Sequence, residues 1–166
     1  MCGIYAILDH RRRQGEARSV ALEQARLLRH RGPDWSGLWV DENCALAHER
    51  LAIVDPFSGE QPLADDQYLL AVNGEIYNHL ELRASLDDYA FQTGSDCEVI
   101  LPLYARHGRA LVEKLRGMYA FVLVEKETGH FLIARDPIGI IPLYYGRDSD
   151  GVIHVASEMK ASESRP

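Results

Sequence analysis

The chain has 166 residues, of which 46% are apolar and 26% charged, and this composition predicts one globular domain with a sizeable core. Eighteen Lys and Arg against 25 Asp and Glu give a formal net charge of −7, which disfavours nucleic acid and anionic membranes as partners. The basic run at 11–13 predicts only a solvated turn. No apolar run approaches the roughly 20 residues of a membrane span, and no signal-peptide pattern is present. Three cysteines without CxxC spacing favour a reduced, cytoplasmic protein.

The first half of the chain combines short strand patterns with one amphipathic helix. Apolar residues recur at helical spacing from residue 17 to residue 28, and the Arg-Gly-Pro-Asp run at 31–34 ends that helix. The segment 55–66 is rich in Pro, Gly and Asp and predicts a long exposed loop. In order, we expect a strand at 2–8, a helix at 17–30, and strands at 37–41, 44–51 and 68–73.

The second half begins with helices and ends with strands. Ser95 and Glu98 have the spacing of a helix capping box, whereas Pro102 conflicts with an uninterrupted helix and predicts a kink or a later start. The run 118–124 is apolar at successive positions, as in a strand buried on both faces. We expect helices at 78–87 and from 95, strands at 118–124, 131–134, 143–145 and 152–156, and a turn at 127–129. Together, these elements predict two mostly antiparallel sheets with helices on their outer faces.

Cys2 is the first candidate catalytic residue. Removal of the initiator methionine, which is usual before a small residue, would make Cys2 the N-terminus and place a thiol beside an α-amine. Their ordinary pKa values, about 8.5 and about 8, allow the amine to take the thiol proton near neutral pH. Position alone favours the alternative, a cysteine that merely packs in a strand.

The pair Asn73-Gly74 follows an apolar strand and predicts a tight hairpin turn. Such a turn would also direct the Gly74 N–H and the Asn73 side-chain amide toward one point, where two donors could hold a developing oxyanion. Taken alone, the pair favours a purely structural turn.

Arg50 and Asp96 are candidates for binding the charged groups of a substrate. An arginine suits a bidentate grip on a carboxylate and an aspartate suits an ammonium group, so a pocket with both would bind a free amino acid. The local sequence leaves two alternatives open, a surface ion pair for Arg50 and a helix-dipole contact for Asp96.

The remaining reactive residue types show no pattern that indicates a site. The seven histidines, His48 and His79 among them, lack metal-ligand spacing and are expected to be structural or exposed. Cys44 and Cys97 are expected to be small buried residues. Neither a Walker A nor a GxGxxG sequence is present.

These signals occur in one order together with several further motifs. They are Met-Cys-Gly-Ile at 1–4, Arg-His-Arg-Gly-Pro-Asp at 29–34, Ala-His-Glu-Arg-Leu-Ala-Ile-Val-Asp at 47–55, Asn-Gly-Glu-Ile-Tyr-Asn at 73–78, Thr-Gly-Ser-Asp-Cys-Glu-Val-Ile at 93–100, Gly-Met-Tyr-Ala-Phe at 117–121, Ala-Arg-Asp-Pro at 134–137 and Ala-Ser-Glu-Met-Lys at 156–160. Over nearly the whole chain, the series resembles the class II glutamine amidotransferase domain of glutamine-dependent asparagine synthetases.

The resemblance implies an α+β N-terminal-nucleophile hydrolase fold over residues 1–166, a four-layer α-β-β-α sandwich of mostly antiparallel sheets. The implied reaction converts glutamine to glutamate and ammonia through a γ-glutamyl thioester. Cys2 would be the nucleophile, with its own α-amine as base, and Asn73 and Gly74 would form the oxyanion hole. Arg50 would bind the glutamine α-carboxylate and Asp96 its α-amine. The rest of the pocket would be largely backbone, from Leu51, Ala52, Ile53, Val54 and Glu75.

The resemblance also implies partners. They are L-glutamine and a synthetase domain or subunit that uses the ammonia to amidate aspartate, with a homodimer left open and neither nucleic acid nor membrane expected. This domain would need no cofactor or metal, because ATP and magnesium belong to the synthetase domain. The pyrophosphate loop of that domain is not in this sequence, and the family's amidotransferase domain usually continues further. We therefore expect a truncated or separately encoded piece that cannot make asparagine alone. The alternatives are an amidotransferase domain with another acceptor and a non-catalytic fragment that binds only glutamine or a partner.

Overall fold

The computed structural model describes residues 1–10 and 14–161, so the basic run at 11–13 and residues 162–166 lie outside the described residues. In chain order the strands are β1 (Gly3–Leu8), β2 (Trp35–Val40), β3 (Cys44–Arg50), β4 (Leu63–Ala64), β5 (Tyr68–Ile76), β6 (Gly117–Glu125), β7 (Phe131–Arg135), β8 (Tyr144–Arg147) and β9 (Ile153–Ala156). The α-helices are α1 (Gln14–Leu27), α2 (His79–Ala84) and α3 (Ile100–His107). Short 3₁₀ helices span Arg29–Arg31, Asp96–Val99, Gly108–Glu113 and Met159–Ala161. Over this part of the chain, no helix is both long and apolar enough to cross a membrane.

The strands form two antiparallel sheets, as predicted. One sheet has the order β2-β3-β1-β9-β8 and the other the order β4-β5-β6-β7. β1 is central in its sheet, and its register pairs Gly3 with Glu49 of β3. The residue before β1 therefore lies beside the residue that ends β3, so Cys2 comes next to Arg50.

Apolar residues pack in three clusters on the faces of the two sheets. β1 shows the two-residue period that puts successive side chains on opposite faces. Ile4 and Ala6 face the second sheet, where they pack in a cluster with Leu69 and Val122. Tyr5 and Ile7 belong to the cluster that the first sheet forms with α1, and the outer face of the second sheet packs in a third cluster with α2 and α3. Members of that third cluster include Leu70, Val72, Leu82, Ile100 and Leu103.

The first helix carries the predicted buried stripe. Ala17, Ala21, Ala25 and Leu28 are all buried, but the α-helix ends at Leu27 and the chain continues as a 3₁₀ turn. Gly32 follows where the backbone of β3 comes close, since a Cβ there would lie 2.2 Å from the carbonyl oxygen of Glu49. Close approach of a neighbouring strand, in addition to the helix end, therefore requires this glycine.

The prediction of a hairpin turn at Asn73-Gly74 is wrong, because β5 continues through both residues to Ile76. Asn73 pairs with Ala120 and Gly74 with Tyr119 on β6. Gly74 has φ +154°, and a Cβ on it would lie 2.2 Å from the Met118 carbonyl oxygen. The glycine is needed where β6 approaches the strand, and the chain from β5 to β6 passes through α2 and α3.

For the helix predicted from Ser95, the later start is the correct alternative. The chain forms a 3₁₀ turn over Asp96–Val99, and α3 begins only at Ile100, so Pro102 lies in the first turn of α3 where its missing N–H costs no helical bond. Ser95 accepts a hydrogen bond from the Cys97 N–H. Glu98 does not complete the capping box, because its carboxylate accepts from the N–H groups of Gln92 and Thr93 instead.

The other predicted elements are present with bounds that shift by a few residues. The short strand β4, inside the segment predicted as a long loop, was not expected. Cys44 and Cys97 are buried, as predicted.

Candidate active site

Cys2 lies at the N-terminal end of the central strand, with its sulfur against the backbone that follows β3. The Leu51 N–H donates to Cys2 Sγ at 3.3 Å, and the thiol can donate to the Leu51 carbonyl oxygen at 3.6 Å. Burial raises the pKa of the Cys2 thiol, although the Leu51 N–H and the nearby positive charges of the N-terminus, Arg50 and Arg31 counteract the rise. A thiol in this position is protonated at rest near neutral pH and needs a base to become a nucleophile.

One cavity opens at the end of the sheets where Cys2 lies. Nine of the ten predicted site residues line it, together with residues such as Gln61, Val72, Ser95 and Cys97; the nine are Cys2, Arg50, Leu51, Ile53, Val54, Asn73, Gly74, Glu75 and Asp96. The tenth, Ala52, is not in the lining that the described residues form, and its N–H donates to Asp34 Oδ2 at 2.9 Å. The structure thus brings together residues from the start, the middle and the later part of the chain.

Arg50 is the last residue of β3, and its guanidinium is held by backbone carbonyls. Arg50 Nη2 donates to the carbonyl oxygens of Asp55 at 2.6 Å and Ser58 at 2.7 Å, and the residue is buried. Among the described residues, Arg50 makes no ion-pair contact with a carboxylate. These carbonyl contacts orient its positive charge in the cavity wall, and, after the larger effect of the Ser58 side-chain hydrogen bond, the charge also contributes to lowering the pKa of the Asp55 carboxyl.

Asp96 begins the 3₁₀ turn that precedes α3, where Ser95 acts as the N-cap. The residue is 4% exposed, and Asp96 Oδ2 accepts a hydrogen bond from the Ile76 N–H at 2.7 Å. This bond ties the carboxylate to the end of β5, three residues beyond Asn73. This buried carboxylate places a negative charge at the cavity, where Arg50 places a positive one.

Asn73 has no exposed surface, and neither its amide nitrogen nor its amide oxygen has a hydrogen-bond partner among the described residues. Leaving a buried polar group without a partner costs about 1–3 kcal/mol. Asn73 lines the cavity and Gly74 follows it on the same strand. The unpartnered amide is therefore available to an oxygen atom of a ligand at this point.

Sequence reasoning missed the residues that hold these groups in place. Arg31 Nε donates to the Cys2 carbonyl oxygen at 2.9 Å, and Arg31 Nη1 donates to Glu158 Oε1 at 2.9 Å. The Arg31 guanidinium, with smaller contributions from Lys160 and His30, holds the pKa of Glu158 at about 2. Arg31 occurs in the motif at 29–34, which predicted the end of a helix and contributed to the family resemblance but assigned Arg31 no contact.

A second missed pair fixes the backbone just before Asn73. The Val72 N–H donates to Gln61 Oε1 at 2.6 Å, and His48 Nε2 donates to the Val72 carbonyl oxygen at 2.9 Å. His48 is fully buried, and burial lowers its pKa to about 4, so the ring is neutral near pH 7. His48 was expected to be structural or exposed, and no signal in the sequence indicated its partner.

In the part of the chain that the structure describes, no group of three or more His, Cys, Asp or Glu residues could hold a metal ion.

Comparison with known proteins shows the family of the chain. The sequence model described as a glutamine amidotransferase domain matches residues 1–166. The chain belongs to the glutamine amidotransferase domain family. It is 56% identical over 164 residues to asparagine synthetase B [glutamine-hydrolyzing] of Escherichia coli (strain K12), covering 97% of this chain and 30% of the relative. It is also 56% identical to asparagine synthetase [glutamine-hydrolyzing] 3 of Arabidopsis thaliana over 163 residues, and 54% identical to a Zea mays asparagine synthetase [glutamine-hydrolyzing], each match covering 97% of this chain and 28% of the relative. This amidotransferase domain therefore spans about 30% of the length of the curated relatives it matches.

Proposed function

We propose that the chain hydrolyses L-glutamine to L-glutamate and ammonia through a γ-glutamyl thioester on Cys2. The observation that supports this most strongly is the single cavity that contains a thiol, a buried guanidinium, a buried carboxylate and an unpartnered amide. A thiol alone is compatible with many reactions. The two charges beside it restrict the substrate to a zwitterion.

Arg50 and Asp96 would hold the amino-acid end of glutamine. The guanidinium of Arg50 suits the α-carboxylate, and the carboxylate of Asp96 suits the α-ammonium group. Because both protein groups are buried, each would be worth more to a bound ion than an exposed one, where water screens the charge. The side-chain amide of glutamine then points toward Cys2 Sγ.

The base would be the α-amine of Cys2 itself, made available by removal of Met1. Because burial raises the pKa of the thiol and keeps it protonated at rest, a base must take its proton as the sulfur attacks the amide carbon, and the α-amine of the same residue would do so. The Leu51 N–H, 3.3 Å from the sulfur, would stabilise the developing thiolate. The protonated amine then gives its proton to the departing nitrogen, which leaves as ammonia.

The oxyanion of the tetrahedral intermediate would be held by the Asn73 side-chain amide and the Gly74 N–H. The buried Asn73 amide fits this role, because a donor held in place away from solvent needs no reorganisation when charge develops. Water then attacks the thioester with the same amine as base, and glutamate is released with the thiol restored.

Several finer points follow from the same family assignment. We propose that the three apolar clusters belong to a four-layer α-β-β-α sandwich. We also propose that the ammonia serves aspartate amidation by a synthetase domain or subunit, with ATP and magnesium bound there. The printed names of the relatives, glutamine-hydrolyzing asparagine synthetases, support this acceptor.

The experiment is a glutaminase assay on the purified chain with mass spectrometry of its N-terminus. We expect loss of Met1, release of equal amounts of glutamate and ammonia, and no turnover in Cys2→Ser. In Arg50→Ala, we expect a raised KM with kcat little changed, because this residue binds a group remote from the reacting amide. A chain that binds L-glutamine without hydrolysing it, after Met1 has been removed, would support a non-catalytic binding domain instead.

A further inference from the structure

The loop after β3 is tied to the turn before Asp96 by one aspartate. Asp55 lies at φ +55°, and its Oδ1 accepts a hydrogen bond from the Ser58 N–H at 3.0 Å. Its other oxygen, Oδ2, accepts from the Gly94 N–H at 2.8 Å and from the Ser58 hydroxyl. One carboxylate therefore closes the loop on itself and fastens it to a segment 39 residues away.

The two segments that Asp55 joins are the supports of the two cavity charges. The carbonyl oxygens of Asp55 and Ser58 hold the Arg50 guanidinium, at 2.6 and 2.7 Å. Gly94 lies two residues before Asp96. The path from the guanidinium to the carboxylate therefore runs through Asp55 with no intervening helix or strand.

The Gly94 side of this link is braced independently of the loop. Arg83 Nη2 donates to the carbonyl oxygens of Thr93 at 2.6 Å and Ser95 at 3.0 Å. The Glu98 carboxylate accepts hydrogen bonds from the N–H and the hydroxyl of Thr93. The turn before Asp96 is thus fixed from within, and the loop carrying the Arg50 contacts is fastened to it.

The loop after β3 and the turn before Asp96 lie in close contact at two glycines. A Cβ on Gly94 would lie 3.2 Å from the Asp55 carboxyl carbon, and a Cβ on Gly59 would lie 3.0 Å from the Ser95 Cβ. A side chain at either glycine would therefore crowd the other segment, so the two segments lie close together and both positions favour glycine.

We propose that Asp55 is a positioning residue that sets the separation between Arg50 and Asp96, and thereby selects a ligand with a carboxylate and an ammonium group on one carbon. This inference rests on the proposed function, in which those two residues bind glutamine. Asp55 touches no reacting atom and acts through Arg50 and Gly94. Its effect is therefore on recognition of the α-amino acid group rather than on the chemical step.

The first test is Asp55→Asn. Asparagine accepts a positive φ and keeps the shape of the side chain, but it has one oxygen and cannot serve both N–H groups. We expect KM for glutamine to rise about tenfold with kcat within about twofold, because a lost hydrogen bond to a charged group weakens uniform binding. The discriminating readout is competitive inhibition by L-glutamate and by glutarate, which lacks the α-amine. The preference for L-glutamate over glutarate is expected to shrink about fivefold or more. When Arg50 and Asp96 are no longer held at the right separation, a ligand gains less from having an α-ammonium group as well as a carboxylate.

Two further variants keep the result interpretable. Gly94→Ala removes no hydrogen bond but presses on Asp55, and it should lower the same preference; it carries the test if Asp55→Asn does not fold by circular dichroism. Asp41→Asn is the matched control, because Asp41 also uses both carboxylate oxygens at the opposite end of β3: Oδ1 accepts from the N–H groups of Asn43 and Cys44, and Oδ2 accepts from Trp39 Nε1. It should leave both KM and the preference unchanged.

The outcomes separate this inference from the proposed function. If Arg50→Ala raises KM while Asp55→Asn and Gly94→Ala leave the preference intact, the positioning role is wrong and the proposed function stands. If Asp55→Asn weakens both inhibitors equally, or if Asp41→Asn has the same effect, the role is merely structural and the inference is overturned. If Arg50→Ala leaves KM unchanged, the proposed clamp itself fails and the inference fails with it.

Discussion

His48 should make the stability of the fold depend on pH in a range where carboxylates contribute little. The ring is buried, its Nε2 donates to the Val72 carbonyl oxygen, and its Nδ1 has no partner among the described residues. Protonation would place a charge and a second N–H donor where neither is satisfied. The folded pKa of about 4 lies below the value of about 6.5 expected when unfolded, so between these values the unfolded chain binds more protons.

The sign and size of the effect follow from this difference. The stability linked to His48 is fully present above about pH 6.5 and is lost as the pH falls toward 4. Lowering the pH from 7.5 to 5 should cost about 2 kcal/mol from this residue alone. His48→Gln keeps an N–H donor on a chain of similar reach and removes the titrating group, so this share of the pH dependence should disappear.

The assay is urea unfolding of the unmodified chain and of His48→Gln at several pH values from 8 to 5. The quantity to compare is the difference in the free energy of unfolding between the two proteins at each pH, because the other titrating groups cancel. A loss of stability that is the same at every pH does not affect this comparison. If the two proteins lose stability in parallel as the pH falls, His48 is not held neutral by burial and the argument is refuted.

Three further predictions concern the cavity. An electrophilic glutamine analogue should alkylate Cys2 and spare Cys44 and Cys97, whose thiol pKa values burial raises; labelling of either buried cysteine, read by peptide mass spectrometry, would contradict the assignment of the nucleophile. Asn73→Ala should lower kcat about 10²–10³-fold with little change in KM, because the amide serves an oxygen that becomes charged only in the transition state; a folded Asn73→Asp variant with substantial turnover would argue against that role. Gly74→Ala should abolish turnover and lower the melting temperature, since its Cβ would lie 2.2 Å from a carbonyl oxygen of β6; an active, equally stable variant would show that the two strands can separate at this point.

Local sequence patterns predicted the helices and strands whose conformation depends little on distant parts of the chain. The strand predicted at 2–8 and the buried stripe of α1 follow from the apolar run and from helix periodicity, and the structure confirms both. Asn73-Gly74 shows the limit of such reasoning. The pair has the composition of a hairpin turn, but its conformation is decided by pairing with Ala120 and Tyr119, more than forty residues away. Tertiary pairing overrides a strong local preference here.

The residues of the candidate site also differ in how far the sequence could indicate them. Cys2, Arg50 and Asp96 could be proposed from the sequence because their chemistry suits a nucleophile and an amino-acid clamp and each occurs in a motif of the family resemblance, although local position alone left structural alternatives open. Asp55 and Gln61 could not, because each acts on backbone N–H groups that become neighbours only when the chain is folded. A sequence shows which side chains can donate or accept, but not which distant peptide group needs a partner.

The wide separation of the site residues along the chain also makes the cavity a measure of correct assembly. Cys2, Arg50, Asn73 and Asp96 meet only after β1 has paired with β3 and the second sheet has packed against the first. Closing such distant contacts carries a chain-entropy cost that only the complete core repays. A reagent that needs the whole cavity to react at Cys2 therefore counts native molecules in a preparation, and its labelling yield during refolding should follow the last packing step rather than the formation of strands or helices.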